Sequence, residues 1–181
     1  MKKSFFSVAI LATLLFAACK NNDPLIDKGV VINGVTWATR NVGSTVGTFV
    51  DKPENYGGYY KWQEAKTACP SGWRLPTGDE LGTLLDTDKV SNKWTTLNGI
   101  NGYRFKDIAT GKNIFLPAGS RCSSDGVLFE TEIGIDGCYW SSSPLGDFAG
   151  HLYFFSEKLG LYAESRATGS SVRCVKSKFN P

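Results

Sequence analysis

The stretch Cys69-Pro-Ser-Gly-Trp-Arg-Leu-Pro-Thr-Gly-Asp-Glu-Leu81 decides the fold, because it contains the end of one helix, a short extended segment and the start of another helix. Pro70 and Gly72 end the helix that precedes it. Pro76 disfavours helical backbone at Leu75, so the residues just before this proline are predicted to be extended. We therefore expect the stretch to serve as a scaffold between two helices.

The second helix has a complete start signal. The hydroxyl of Thr77 is expected to accept a hydrogen bond from the amide of Glu80, while the Glu80 carboxylate accepts one from the Thr77 amide. Leu81, Leu84 and Leu85 then form one apolar face. Because this capping box already uses the carboxylate, Glu80 is interpreted as structural rather than as a catalytic acid or base.

The remaining segments predict one further helix and several short strands. Val30 to Ile32 and Val35 to Ala38 flank Asn33-Gly34, and Asn-Gly between β-prone runs is a strong hairpin signal. Trp62 to Ala68 has apolar residues at helical spacing. The other predicted strands are Tyr103 to Ile108, Asn113 to Pro117, Tyr139 to Ser143, His151 to Phe155, Leu161 to Ser165 and Ser171 to Lys176. Two early helices and a late antiparallel set of strands predict an α+β domain.

Residues 1–18 have the composition of an export signal. Two lysines precede an apolar run from Phe5 to Ala18, which is too short and too early for a membrane span. Leu15-Phe16-Ala17-Ala18-Cys19 resembles the lipobox of bacterial lipoproteins. The resemblance implies that acyl chains on Cys19 anchor the protein to a membrane. The alternative is an ordinary secreted protein that is cleaved near Ala18.

The predicted organisation is a signal peptide over residues 1–18, a lipid-anchored tether over residues 19–29 and a single domain over residues 30–181. The acidic residue Asp23 in the tether resembles the surface-export signals of some Gram-negative lipoproteins. We therefore expect an outer-membrane protein, anchored by lipid on the surface of a Gram-negative bacterium.

The charge balance argues against nucleic acid as a partner. The whole chain has a formal net charge of +3, and the signal peptide contributes two lysines and no acidic residue. Without it, 18 basic side chains face 17 acidic ones, a net charge of +1. No basic patch or arginine run remains to bind a phosphate backbone.

Besides Cys19, the chain has four cysteines. An even number in an exported chain favours disulfides, and four cysteines allow three pairings. We favour Cys122 with Cys138 and Cys69 with Cys174, a small loop nested inside a large one. A metal site is not expected, because no Cys-x-x-Cys motif is present and His151 is the only histidine.

A series of motifs, taken in order, resembles the Fibrobacter succinogenes major paralogous domain family over about residues 35–176. The motifs are Tyr60-x-Trp62-x-x-Ala65, Cys69-Pro-Ser-Gly-Trp-Arg-Leu-Pro-Thr77, Glu80, Phe115-Leu-Pro-Ala118, Gly119-x-Arg121, Tyr139-Trp-Ser-Ser-Ser143 and Gly169-x-Ser-Val-Arg-Cys-Val175. The resemblance implies a C-type lectin-like fold, with two helices, an antiparallel sheet and a long irregular loop region. It also supports the link between Cys69 and Cys174, and it places Cys122 and Cys138 in the loop region.

The resemblance does not carry over a calcium-dependent sugar site. C-type lectins that bind sugar use Glu-Pro-Asn or Gln-Pro-Asp together with Trp-Asn-Asp, whose oxygens coordinate calcium. This chain has Trp140-Ser-Ser-Ser143 in place of Trp-Asn-Asp, and Pro53-Glu54-Asn55 comes too early and in the wrong order. No metal or other cofactor is therefore expected.

No catalytic set is recognisable. His151 lies inside an aromatic strand, where a structural histidine is favoured, and no Gly-x-Ser-x-Gly elbow surrounds Ser141 to Ser143. The protein is therefore predicted not to be an enzyme. Formylglycine-generating oxidases share the C-type lectin-like scaffold but depend on a redox cysteine or a copper-thiolate pair. The number of free thiols would discriminate, since two free thiols would favour that enzyme class.

The candidate binding region is the loop from Gly119 to Pro144. Its site residues are Arg121, Asp125, Asp136, Tyr139 and Trp140. An aromatic ring beside several polar groups is a common way to hold a sugar or a peptide, although the two aromatic residues could instead belong to the core. We predict a surface binding module for a glycan, a matrix component or another envelope protein, with a role in adhesion. The alternative is a structural or tip subunit of a surface assembly.

Overall fold

The computed structural model describes residues 26–177. The predicted signal peptide, the lipidation site Cys19 and most of the predicted tether lie outside these residues. No helix within residues 26–177 is long and apolar enough to cross a membrane.

The described chain consists mainly of antiparallel strands with two short helices, which agrees with the predicted α+β class. In chain order the elements are β1 (Val30–Ile32), β2 (Val35–Trp37), α1 (Trp62–Ala65), β3 (Trp73–Arg74), α2 (Gly78–Gly82), β4 (Val90–Leu97), β5 (Ile100–Asp107), β6 (Asn113–Pro117), β7 (Asp136–Leu145), β8 (Phe148–Phe155), β9 (Lys158–Ser165) and β10 (Val175–Lys176), with 3₁₀ turns at Thr83–Leu85 and Glu130–Glu132.

The strands form three sheets. The terminal sheet has the order β1-β2-β10-β3, so strands from both ends of the domain are neighbours. The second sheet has the order β4-β5-β6, and the C-terminal sheet has the order β7-β8-β9. One core cluster lies between α2 and the three sheets, and includes Leu81, Phe105 and Phe154. A second cluster surrounds α1 and includes Trp62, Trp140 and Cys174.

The local signals in the sequence are confirmed. Asn33 and Gly34 both have positive φ values, 44° and 77°, as the predicted hairpin turn requires. Thr77 Oγ1 accepts a hydrogen bond from the Glu80 amide at 3.1 Å, and Glu80 Oε2 accepts one from the Thr77 amide at 2.9 Å. The Glu80 carboxylate also forms an ion pair with the Arg74 guanidinium, with Arg74 Nη2 2.6 Å from Glu80 Oε1. Glu80 therefore joins β3 to the start of α2 and has the structural role that was predicted.

Several element boundaries differ from the prediction, and one strand was not predicted. The helix at Trp62 ends at Ala65 rather than Ala68, and the last strand contains only Val175 and Lys176. The region before Asn101, where no strand was predicted, contains β4. A second Asn-Gly turn, Asn98-Gly99, with φ values of 50° and 83°, joins β4 to β5 and explains the extra hairpin.

The predicted disulfide between Cys69 and Cys174 is present, and it ties the segment after α1 to the terminal sheet. The predicted bond between Cys122 and Cys138 is wrong, because both are buried free cysteines. A parallel bridge between Ser120 and Gly137 sets the register here. It places Arg121 beside Cys138, with Arg121 Nη1 at 3.9 Å from Cys138 Sγ. Cys122 is one residue further along, and its backbone pairs with Gly169 rather than with β7.

Candidate binding site

Two of the predicted site residues belong to the core. Tyr139 is 1% exposed, its ring stacks on Phe154 at 5.8 Å between centroids, and its hydroxyl donates to the carbonyl of Pro117. Trp140 is completely buried and donates its indole N–H to the carbonyl of Tyr60 at 2.7 Å. Neither ring has a face open to solvent. The alternative interpretation of Tyr139 and Trp140 as core residues therefore fits the structure, and neither can stack on a surface ligand.

Two other predicted residues meet in a charged cluster. Arg121 Nη1 lies 3.2 Å from Asp136 Oδ2 and 3.5 Å from Glu132 Oε2. The guanidinium also lies over the ring of Phe129, at 5.3 Å from its centroid. We call Arg121, Glu132 and Asp136 the Arg121 cluster. The arginine is held between two carboxylates and an aromatic ring that is itself 37% exposed.

Opposing effects within the Arg121 cluster determine the pKa of Asp136. Burial, and then the negative charge of Glu132, raise the pKa of Asp136, while Arg121 and the phenol of Tyr153 act in the opposite direction. Burial also raises the pKa of Tyr153, and the Asp136 carboxylate adds to that shift. The Arg121 cluster and Tyr153 thus bring a cation, two carboxylates and a phenol together at the start of β7, where Glu132 is the more exposed carboxylate and Asp136 is buried.

Asp125 is not part of this cluster. It is exposed, and its carboxylate accepts a hydrogen bond from the hydroxyl of Ser123, which lowers the pKa of Asp125. Ser123 also bonds to Val127, so these contacts close a small turn. Its role in binding stays a prediction, and within the described residues no hydrogen bond connects it to Arg121 or Asp136.

The structure contains an aromatic surface that was not predicted from the sequence. Tyr153 pairs with Gly160, and His151 pairs with Tyr162, so alternate residues of β8 and β9 share one face of the C-terminal sheet. We call Tyr153, Phe155, Lys158 and Tyr162 the outer aromatic face. The rings of Tyr153 and Tyr162 meet edge to face at 6.1 Å, and Lys158 Nζ lies 4.6 Å from the Tyr162 centroid.

The outer aromatic face continues into the Arg121 cluster through Tyr153, whose phenol interacts with Asp136. Tyr162 is 38% exposed, and Tyr153 and Phe155 are half-buried. The signal for this surface was available in the sequence, because β8 carries aromatic residues on both faces. An antiparallel strand with one solvent-facing side needs apolar residues only on its other side, and Leu152 and Phe154 already supply the core.

His151 occupies the deep end of this face. It is 4% exposed, its ring contacts Trp140 and Tyr162, and Nδ1 has no hydrogen-bond partner among the described residues. Burial lowers the pKa of His151, and the charge of Glu164 partly opposes this effect. The imidazole is therefore neutral at neutral pH. Its packing between aromatic rings agrees with the structural role predicted for it.

The opposite face of the same sheet borders a cleft of about 540 Å³. It lies between α2 and the ends of β7, β8 and β9, and its exposed apolar side chains are Leu145 and Leu161. The serines at its wall are already used: Ser143 Oγ accepts the Gly78 amide, and Ser141 Oγ donates to the carbonyl of Gly150. The remaining polar residues of its lining are Asp79, His151 and Tyr162.

Residues 26–177 contain no group of three or more histidine, cysteine, aspartate or glutamate side chains that could hold a metal ion. Burial raises the pKa of both free thiols, that of Cys138 to about 12. Both cysteines are therefore protonated at neutral pH.

The profile of the Fibrobacter succinogenes major domain family matches residues 30–176, which confirms the resemblance seen in the motifs. No curated protein and no solved structure matches the chain.

Proposed function

We propose that this chain, which belongs to the Fibrobacter succinogenes major domain family, is a non-enzymatic cell-envelope lipoprotein whose domain binds a glycan. A glycan attached to a matrix component or to another envelope protein would be bound in the same way. The observation that carries the proposal is the continuous surface formed by the outer aromatic face and the Arg121 cluster.

The chemistry of this surface suits a sugar ring. The apolar face of a pyranose packs on an aromatic ring, while its hydroxyls need charged or polar partners that fix its orientation. Tyr153 and Tyr162 supply the rings, and Lys158 and Glu132 supply a donor and an acceptor at the margin. This set replaces the predicted one, in which Tyr139 and Trp140 supplied the rings.

The proposal can be tested with a glycan array and the domain of residues 24–181. We expect Tyr162→Ala and Tyr153→Ala each to weaken the binding of any captured glycan by roughly 10-fold or more, in line with the loss of one buried aromatic contact. Phe148→Ala is the matched control, because Phe148 is 51% exposed on the same strand but faces the other side of the sheet. Equal weakening of glycan binding in all three variants would contradict the proposal.

Binding should not depend on calcium, since the segments that coordinate calcium in sugar-binding C-type lectins are absent from the sequence. Titration of the captured glycan with and without EDTA measures this directly. A loss of binding in EDTA that calcium restores would overturn this part of the proposal.

We further infer that the domain has the C-type lectin-like fold. Its support is the sheet shared by the first and last strands, the two early helices, and the disulfide from the end of the first helical segment to Cys174. The irregular segment between β6 and β7, with only a 3₁₀ turn at Glu130–Glu132, would correspond to the long loop region.

Membrane attachment through Cys19 remains part of the proposal and rests on the lipobox-like sequence alone. Metabolic labelling with an alkyne fatty acid should mark the wild-type chain and not Cys19→Ala. A non-permeant reagent should label the protein on intact cells if it faces outward. Labelling that appears only after lysis would restrict it to the periplasmic face.

One observation favours a second candidate, an enzyme on the formylglycine-generating scaffold: Cys122 and Cys138 are both free. Their burial and raised pKa values weigh against it, because the reactive form of a catalytic cysteine is the thiolate. Iodoacetamide labelling of the native protein separates the two candidates. Rapid alkylation of either thiol at neutral pH would favour the enzyme.

A further inference from the structure

The strand β9 has one free long edge. It is the outermost strand in the order β7-β8-β9, and within residues 26–177 no backbone hydrogen bond joins Leu159–Ala163 to any element other than β8. Leu161 is 41% exposed and Tyr162 is 38% exposed. A long, exposed edge with apolar side chains is a template for pairing with another chain.

The loop between β8 and β9 determines which backbone groups face outward. Phe155 pairs with Lys158 across the two-residue loop Ser156-Glu157. Phe155 and Lys158 must form a hydrogen-bonded pair, in which each residue donates its N–H to the carbonyl of the other. If they formed a non-hydrogen-bonded pair, the next hydrogen bonds would have to join Ser156 to Glu157, which are adjacent in the chain. Hydrogen-bonded and non-hydrogen-bonded pairs alternate along an antiparallel ladder. The residues of β9 that turn their N–H and C=O groups away from β8 are therefore Leu159, Leu161 and Ala163.

The sequence of β9, Lys-Leu-Gly-Leu-Tyr-Ala-Glu-Ser, is complementary to itself in one antiparallel register. With Leu161 opposite Leu161 of a second copy, the outward-facing groups of the two strands bond to each other. Lys158 then lies opposite Glu164 of the other copy, and symmetry repeats this ion pair at the other end. These are non-hydrogen-bonded positions, where opposing side chains approach most closely.

Other registers lose this complementarity. A shift of two residues in one direction places Lys158 opposite Arg166 of the second copy, which opposes two positive charges. A shift of two residues in the other direction separates Lys158 of one copy from Glu164 of the other. In the favoured register Tyr162 lies opposite Gly160, so two bulky side chains oppose each other only at the central leucine.

We propose that two copies of this chain associate through β9, in a two-fold symmetric contact that joins their C-terminal sheets into one antiparallel sheet of six strands. The match of charge and size within β9 itself favours a second copy over an unrelated peptide. The pairing also places two outer aromatic faces side by side on one surface.

One strand pair buries less surface than a permanent dimer needs, so the association is reversible and depends on concentration. Sedimentation equilibrium of the full chain is the appropriate measurement. We expect the wild-type chain to move from monomer to dimer with increasing concentration, and added salt to weaken the dimer because two ion pairs contribute to it.

Charge reversal tests the register. Lys158→Glu and Glu164→Lys each oppose like charges at both ends, and we expect each to raise the dissociation constant about 10-fold or more. An equimolar mixture of the two variants should form a heterodimer, since position 158 of one then faces the opposite charge at position 164 of the other. Lys93→Glu is the matched control, because it makes the same charge change on β4, the edge strand of another sheet.

Leu161→Pro provides an independent test. It removes an outward-facing N–H, while the ladder with β8 keeps its own hydrogen bonds. We expect a monomer with an unchanged near-ultraviolet circular dichroism spectrum. The proposal is overturned if the wild-type chain is monomeric throughout, if the single charge variants dimerise as well as the wild-type chain, or if their mixture stays monomeric.

Discussion

The terminal sheet and the C-terminal sheet are built in opposite ways. The strands β1, β2, β3 and β10 have two or three residues each and come from widely separated parts of the chain, including both ends of the domain. The strands β7, β8 and β9 have eight to ten residues each and follow one another through two-residue turns. The first sheet therefore needs bonds between distant parts of the chain, whereas the second can form from its own neighbouring residues.

Arg173 shows how the terminal sheet is supported. It is 1% exposed, and it donates to the side-chain oxygen of Asn41 and to the carbonyls of Ala38 and Phe115. Burial lowers the pKa of Arg173 to about 10. The disulfide between Cys69 and Cys174 lies beside it in the chain. The C-terminal sheet has no comparable cross-link among the described residues, and its surface remains open to a ligand.

Removal of the disulfide is expected to have the largest effect. Cys69→Ala with Cys174→Ala opens a loop with a sequence separation of 105 residues. In the chain-entropy model this lowers the free energy of unfolding by about 4–5 kcal/mol. Urea unfolding measures the change. The control is Cys122→Ala with Cys138→Ala, which removes two buried thiols but no cross-link. An equal decrease in the free energy of unfolding of the control would contradict the special role of the disulfide.

Replacement of the buried arginine is expected to have the next largest effect. Arg173→Leu leaves three buried acceptors without their donor, which should lower the free energy of unfolding by about 3 kcal/mol or more. Arg166→Leu is the matched control beside the C-terminal sheet, because Arg166 directly follows β9. Arg166 also donates to carbonyls, those of Phe148 and Gly146, but in a more exposed position. Its loss should cost less than about 1 kcal/mol. Similar decreases in the free energy of unfolding of the two variants would contradict the distinction between the two sheets.

The smallest effect concerns pH and the C-terminal sheet. Because burial lowers the pKa of His151 below its ordinary value of 6.5, the unfolded chain takes up this proton before the folded chain does. The free energy of unfolding should therefore decrease as the pH falls through 6.5 toward the folded pKa. Glu164 and Arg121 also act on this histidine, in opposite directions. Stability measured between pH 7.5 and 5.5 should lose this slope in His151→Phe, and an unchanged slope would assign it to another group.

The sequence was most informative where structure depends on adjacent residues. The Asn33-Gly34 turn and the capping box of Thr77 and Glu80 need only neighbouring residues, and both are present as predicted. The same reasoning would have found β4, since Asn98-Gly99 is a second turn of the same kind. The polar residues Ser91, Asn92 and Lys93 in this segment make it resemble a loop.

The sequence was least informative where the structure depends on how the strands pair. A shift of one residue exchanges the two faces of a strand, and this determines that Arg121, rather than Cys122, lies beside Cys138. Tyr139 and Trp140 are neighbours on one strand, so alternation would place only one of them inside. Both are buried because β7 is covered on both faces at this point, with Tyr139 in the first core cluster and Trp140 in the second. The outer aromatic face was missed because its members, such as Tyr153 and Tyr162, belong to different strands and meet only after pairing.

The bond between Cys69 and Cys174 also imposes an order of events on biogenesis. Its second cysteine precedes β10 directly, so the cross-link cannot close until every other strand has been synthesised and delivered to an oxidising environment. The C-terminal sheet has no such requirement and can pair as soon as β9 emerges. The surface that we assign to recognition can thus form before the cross-link that fastens the terminal sheet.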